Sequence, residues 1–136
     1  MAMVRAAEIF KRRHSAIFRN YGLSFPQYNI LRVLDASRNG INRISEVSRI
    51  MLVPGANMTG LTKRLEKNGF IIRKSDPKDD RVTILEITPK GKRTLKNIGP
   101  EKDKSTEMIL KGFSEEDITG LLDNLKKLIK NNILSS

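Results

Sequence analysis

Apolar residues return at helical spacing from Met3 to Asn20, where Ala6, Ile9, Phe10, Ile17 and Phe18 alternate with Arg12, Arg13 and Arg19. The pattern predicts a basic amphipathic helix. In so short a chain it is expected to dock on its own domain or on a partner subunit rather than on a membrane surface. Ser24 and Gln27 have capping-box spacing, Pro26 suits a first helical turn, and Tyr28, Leu31 and Leu34 mark a buried stripe, so a second helix follows. Asn39-Gly40 is a turn signal, and Asn42 is placed to cap a third helix carrying Ile44, Val47 and Met51. Val53-Pro54-Gly55 ends that helix. A fourth is expected from Pro54 to Asn68, with Met58, Leu61, Thr62 and Leu65 on one side and Gly69 as its stop.

The periodicity then changes. Residues 70–75 and 82–87 are rich in strand-forming side chains and flank Asp-Pro-Lys-Asp-Asp-Arg, which predicts a β-hairpin with a long polar tip. Thr88-Pro89 reads as the cap and first residue of a fifth helix containing Leu95 and Ile98. Gly99-Pro100 is expected to kink or interrupt it before it resumes toward Leu110, and Gly112 punctuates its end. Ser114 with Asp117 opens a last helix, where Ile118, Leu121, Leu122, Leu125, Leu128 and Ile129 form an apolar stripe that needs a partner. The fold class is therefore mainly α with a small antiparallel β wing.

A chain of 136 residues suits one globular domain, and its 26 Lys+Arg against 15 Asp+Glu give a formal charge of +11. Such charge attracts nucleic acid, an anionic surface or an acidic protein. Its distribution narrows the choice: residues 1–42 carry +5, 43–93 carry +6 and 94–136 carry 0. The neutral last third is not expected to touch a polyanion. The absence of cysteine removes disulfides, thiolate metal sites and thiol nucleophiles. No apolar run approaches the roughly 18 residues of a membrane span, so a cytoplasmic location with no membrane association is expected.

A short helix, a turn and a second helix that begins with small polar residues form a DNA-reading arrangement, since the second helix fits a major groove. Ala56, Thr59 and Gly60 permit close approach and Asn57 can pair with a base edge, while Lys63, Arg64 and Lys67 are placed for phosphates. Arg73, Lys74, Lys78 and Arg81 cluster on the hairpin, where an arginine can enter the minor groove. Asp79 stands two residues before Arg81 and is expected to orient its guanidinium. The candidate DNA contacts are thus Ala56, Asn57, Thr59, Gly60, Lys63, Arg64, Arg73, Lys78, Asp79 and Arg81. The plainer alternative is a solvated basic surface.

These residues resemble the MarR family of winged helix-turn-helix transcription regulators over nearly the whole chain. The wing is the most specific part: Asp76, Pro77, Asp79 and Arg81, leading into Ile87, Thr88 and Gly91, are similar to the family's Asp-Pro-x-Asp-x-Arg wing and Leu/Ile-Thr-x-x-Gly helix start. Leu23-Ser24 with Gln27-Tyr28 and Leu31, then Ser45-Glu46-Val47, and Leu65-Glu66 with Gly69, match at the family's spacing. The resemblance implies a homodimer held by residues 1–22 and 89–136, with residues 23–88 as the region that binds double-stranded DNA at a palindromic operator. It also implies a repressor released by a small aromatic or phenolic effector, for which Phe10, His14, Phe18, Tyr21 and Tyr28 are candidate lining residues. Core filling is the competing role for those side chains.

The chain departs from the family pattern at three places. Its first helix is short, Gly60 replaces a larger polar residue on the reading helix, and Gly99-Pro100 falls inside the linker helix. One functional alternative is an interaction module whose basic face binds an acidic protein. Catalysis has little support: there is one histidine, no Gly-rich phosphate loop and no metal-ligand spacing, so neither an enzyme nor a cofactor or metal is expected.

Overall fold

Ser24 opens its helix by the reciprocal bonding its spacing predicts. Its hydroxyl accepts from the Gln27 amide at 3.3 Å, and the Gln27 side-chain carbonyl accepts from the Ser24 amide at 3.0 Å. The computed structural model describes residues 1–133 of the chain. Its elements are α1 (Ala2–Arg19), α2 (Phe25–Ala36), a short 3-10 turn (Arg38–Gly40), β1 (Ile41–Arg43), α3 (Ile44–Met51), α4 (Gly55–Lys67), β2 (Ile71–Asp76), β3 (Asp79–Ile87), α5 (Pro89–Ile109) and α6 (Glu115–Ile133). Six helices thus accompany one small antiparallel sheet of order β1-β3-β2 among the described residues.

The sheet corrects two expectations. Asn42 does not cap α3: it sits in β1, paired with Leu85, and its side chain accepts from the Arg43 amide at 2.8 Å and donates to the Ser37 hydroxyl at 3.1 Å. A strand of only three residues is too short to show alternation, which is why the sequence hid it. The hairpin tip is also short rather than long, because pairing extends to Asp76 opposite Asp79 and leaves Pro77-Lys78 as the turn. The Asp76 carboxylate accepts the Lys78 amide at 2.8 Å and tightens that turn locally. The register shifts between Ser75 and Asp76, so Asp80, Arg81 and Val82 have no partner on β2.

The core lies between α2, α3 and α4 and the inner face of the sheet. Ile30, Leu31 and Leu34 of α2 meet Val47 of α3, Met58 and Leu65 of α4, and Ile71, Leu85 and Ile87 of the strands, all essentially buried. Phe18 from α1 and Ile98 from α5 close this core from the side of the terminal helices. Thr62 is fully buried, and its hydroxyl donates to the Thr59 carbonyl at 3.2 Å, so its burial leaves no donor unmet.

The helix α5 runs unbroken through Gly99-Pro100, contrary to the expected interruption. A proline removes one amide donor, and the hydrogen bonds on both sides hold the rest of this long helix together. Gly69 and Gly112, at φ +81° and +89°, follow the ends of α4 and α5 in the left-handed conformation that favours glycine. The caps of α6 form as read, with Ser114 and Asp117 exchanging two bonds at 3.0 Å. Yet α6 buries no residue, and its apolar row from Ile118 to Ile129 is 38–49% exposed. The last three residues of the segment 89–136 lie outside the described residues.

Candidate nucleic-acid interface

The α4 helix divides cleanly into two faces. Met58, Thr62 and Leu65 point into the core, while Ala56, Asn57, Thr59, Gly60, Lys63 and Arg64 are all exposed. A Cβ built on Gly55 or Gly60 meets nothing within 4 Å, so internal packing does not require glycine at either position. Leu52 reverses the chain between α3 and α4 in a left-handed conformation, φ 56°, and stands 72% exposed beside the start of α4.

On the wing, the structure brings Lys78, Asp79 and Arg81 together at the tip. Asp79 accepts from the Arg81 guanidinium at 3.1 and 3.2 Å and from its amide at 3.1 Å. These bonds, with the nearby charge of Arg43, hold the Asp79 carboxyl below its ordinary pKa. The Arg81 side chain remains 87% exposed, and its place in the unpaired stretch of β3 is what projects it.

Arg73 does not join that tip cluster. It pairs with Leu85 and shares its strand face with Ile71, so its side chain is directed toward α3 and α4 and is partly buried. Lys74 points the other way and is bound to Glu86 at 2.8 Å. Sequence reading missed Arg43, a 63% exposed side chain on β1 that pairs with Asp76 at 3.7 Å and steadies the base of the tip. Its signal depended on β1, which was itself invisible.

The five candidate effector residues converge where α1, α2 and α5 meet. Phe10 and His14 lie 5.7 Å apart between ring centroids, His14 and Phe18 6.0 Å, and Phe18 stacks on Tyr28 at 3.9 Å. Phe18, Tyr28 and His14 are buried, whereas Phe10 and Tyr21 are partly exposed. His14 Nε2 faces the Thr106 hydroxyl at 3.4 Å. Desolvation and the positive charge of Lys102 push the imidazole pKa down. Tyr21 donates to Glu101 and to the Asn97 carbonyl, and the Glu101 bond raises the phenol's pKa. The ammonium of Lys102 lies 5.6 Å from the Tyr28 ring.

Comparison with known proteins places this geometry. The sequence profile described as "Transcriptional regulator SarA/Rot" matches residues 12–98. The HTH-type transcriptional regulator YkoM of Bacillus subtilis (strain 168) is 31% identical over 110 residues, which cover 80% of this chain and 70% of that protein. Among solved structures, Sco3205 of Streptomyces coelicolor, a MarR family transcriptional regulator in complex with DNA, has a TM-score of 0.86 at 20% identity, covering 96% of this chain and 82% of that one. CouR from Rhodococcus jostii RHA1, bound to p-coumaroyl-CoA, has a TM-score of 0.84 at 16% identity, covering 93% and 88%. No helix among the described residues is long and apolar enough to cross a membrane. The capped α2, the α3–α4 pair, the Asp79–Arg81 wing and the profile match over residues 12–98 together show that this chain belongs to the SarA/Rot family of DNA-binding transcriptional regulators, with the MarR-type winged helix-turn-helix fold.

Proposed function

We propose that the protein acts as a homodimeric, sequence-specific regulator that represses transcription from a palindromic operator and responds to a small aromatic or phenolic effector. The observation that carries this reading is the separation of two surfaces. A basic face built from α4 and the wing suits DNA, and the apolar row of α6, from Ile118 to Ile129, lies outside the core of its own chain. A half-exposed row of that length calls for a matching apolar surface, and a second copy supplies one symmetrically. Residues 1–22 and 89–136 then form the dimer and residues 23–88 read DNA, with Ala56, Asn57, Thr59 and Gly60 toward the bases and Arg81 toward the minor groove.

The ring stack of Phe10, His14, Phe18 and Tyr28 sits at the junction of those two parts, edged by Tyr21, Glu101 and Lys102. An aromatic acid entering there exchanges one ring contact for another and places its carboxylate near Lys102. The complex of CouR with p-coumaroyl-CoA supports an effector of this kind for a protein of the same fold.

Selection of bound sequences from a random duplex pool, with the size of the complex measured by sedimentation, tests the reading. Two half-sites about one helical turn apart, occupied by two chains, are expected. Binding without sequence preference at physiological salt would instead support a module for an acidic protein partner. Transcription in vitro from the selected site, with and without a hydroxybenzoate, tests repression and release.

A further inference from the structure

We propose that Arg73 is the seat of one DNA backbone phosphate, in the cleft between the wing and the start of α4. This rests on duplex DNA being the partner, and it gives Arg73 a role different from that of Arg81. The cleft has a volume of about 310 Å³ and is bordered by Arg73, Thr83, Ser45, Thr59, Gly55 and Met58. Alternation along β2 puts Arg73 on the same inward face as the buried Ile71, one pair beyond the edge of the core. The cleft it borders is lined both by apolar Met58 and by the hydroxyl-bearing Ser45, Thr59 and Thr83.

The guanidinium is incompletely satisfied. Its Nε is shut off from solvent and has no hydrogen-bond partner. Among the described residues no carboxylate lies within 4.0 Å of its nitrogens, and the nearby Glu66 accepts the Arg73 backbone amide at 3.0 Å. A buried donor left without an acceptor is costly, and it draws the rest of the head toward an oxyanion. Arg73 as a whole is only partly buried, and the pair of Nη groups at the end of its head matches two oxygens of a phosphate, with the neighbouring hydroxyls as further donors.

Location selects the backbone phosphate. The cleft lies between the exposed face of α4, suited to a major groove, and the strand that carries Arg81, suited to a minor groove. A DNA strand engaged by both passes over it. A contact of this kind fixes the register of the protein on the duplex and carries no sequence information.

The test compares the full chain with Arg73→Met, which keeps the stem, and Arg73→Lys, which keeps the charge but loses the fork. Affinity for a selected duplex and a random duplex is measured across salt, then with single methylphosphonate replacements along the selected duplex. Arg73→Met should weaken both duplexes by a similar factor, roughly tenfold, and reduce the salt slope by roughly 0.9 per subunit. One methylphosphonate per half-site should penalise the wild type and leave Arg73→Met unaffected. Arg73→Lys should regain the slope without the full affinity. An unchanged slope with the wild-type methylphosphonate profile in Arg73→Met overturns the seat, as does a loss confined to the selected duplex, which marks a base contact. Thermal stabilisation of the wild type by inorganic phosphate, with duplex affinity unaltered in both variants, would assign the cleft to a free anion instead. Failure of the wild type to bind any duplex would sink the DNA-binding reading itself, and that arm is scored before the variants are compared.

Discussion

The carboxylate of Asp79 holds Arg81 at two points, Oδ1 accepting from Nε at 3.1 Å and Oδ2 from Nη2 at 3.2 Å, within a stretch of β3 that has no partner on β2. An ion pair this exposed adds little to stability. It restricts the guanidinium, which would lower the ordering cost of the proposed DNA contact. Arg81→Ala should weaken duplex binding by about 1–3 kcal/mol and leave the melting temperature unchanged. Asp79→Ala should cost less, and the double variant should bind no worse than Arg81→Ala alone. Fluorescence anisotropy on all three decides the point: additive losses would mean that Asp79 acts independently of Arg81.

Gly91 is fixed by crowding. A Cβ there would lie 2.5 Å from the Phe70 carbonyl oxygen and 2.7 Å from Ile87 Cγ1. Its amide donates to the Thr88 hydroxyl at 3.2 Å, and that hydroxyl donates to the Gly69 carbonyl at 2.6 Å, which ties the start of α5 to the end of α4. Gly91→Ala should therefore destabilise the fold by about 1–3 kcal/mol through overpacking. Gly99→Ala is the control, since a Cβ there meets nothing within 4 Å and alanine favours the helix by roughly 1 kcal/mol. Urea denaturation should show opposite signs for the two substitutions, and a loss at both would contradict the packing argument.

The contrast between Gly91 and Asn42 indicates what the sequence could disclose. Caps, stops and apolar stripes are local patterns, so Ser24, Gly69, Thr88 and Ser114 announce their elements directly. The wing motif carries its Asp79–Arg81 bond within three residues and was equally legible. Asn42, Arg43 and Arg73 owe their roles to strand pairings that span more than ten positions of sequence, with Leu85, Ile84 and Leu85 respectively. Nothing local encodes such a pairing in a three-residue strand, and cap chemistry made Asn42 look like a helix start. The direction of Arg73 likewise depends on the register against β3. Composition placed it among basic wing residues, whereas pairing turned it inward.

His14 makes stability depend on pH. Burial among Phe10 and Phe18 and the positive charge of Lys102 favour the neutral imidazole, so its pKa in the fold lies below the ordinary 6.5. Between those two values the unfolded chain binds more protons than the folded one. The contribution to stability is then complete above pH 6.5 and declines as pH falls toward the folded value. Thermal unfolding followed from pH 7.5 down to about 5.5, where most carboxylates stay ionised, should show a falling midpoint. His14→Gln should flatten that decline, and an equally steep decline in the variant would assign it to other groups.

Gly60 separates the demands of folding from those of binding. It lies inside α4 on the exposed face, and its missing side chain leaves open space rather than relieving a contact. Helix propensity alone then makes Gly60→Ala stabilising by about 0.5–1 kcal/mol. In the proposed complex the added methyl stands between Asn57 and Lys63 along the helix, on the face assigned to the major groove. Affinity for the selected duplex should fall while the urea midpoint rises. Both quantities come from one variant, so a rise in stability with undiminished affinity would show that α4 does not approach DNA through its small residues, and would shift the burden of recognition to Asn57 and the wing.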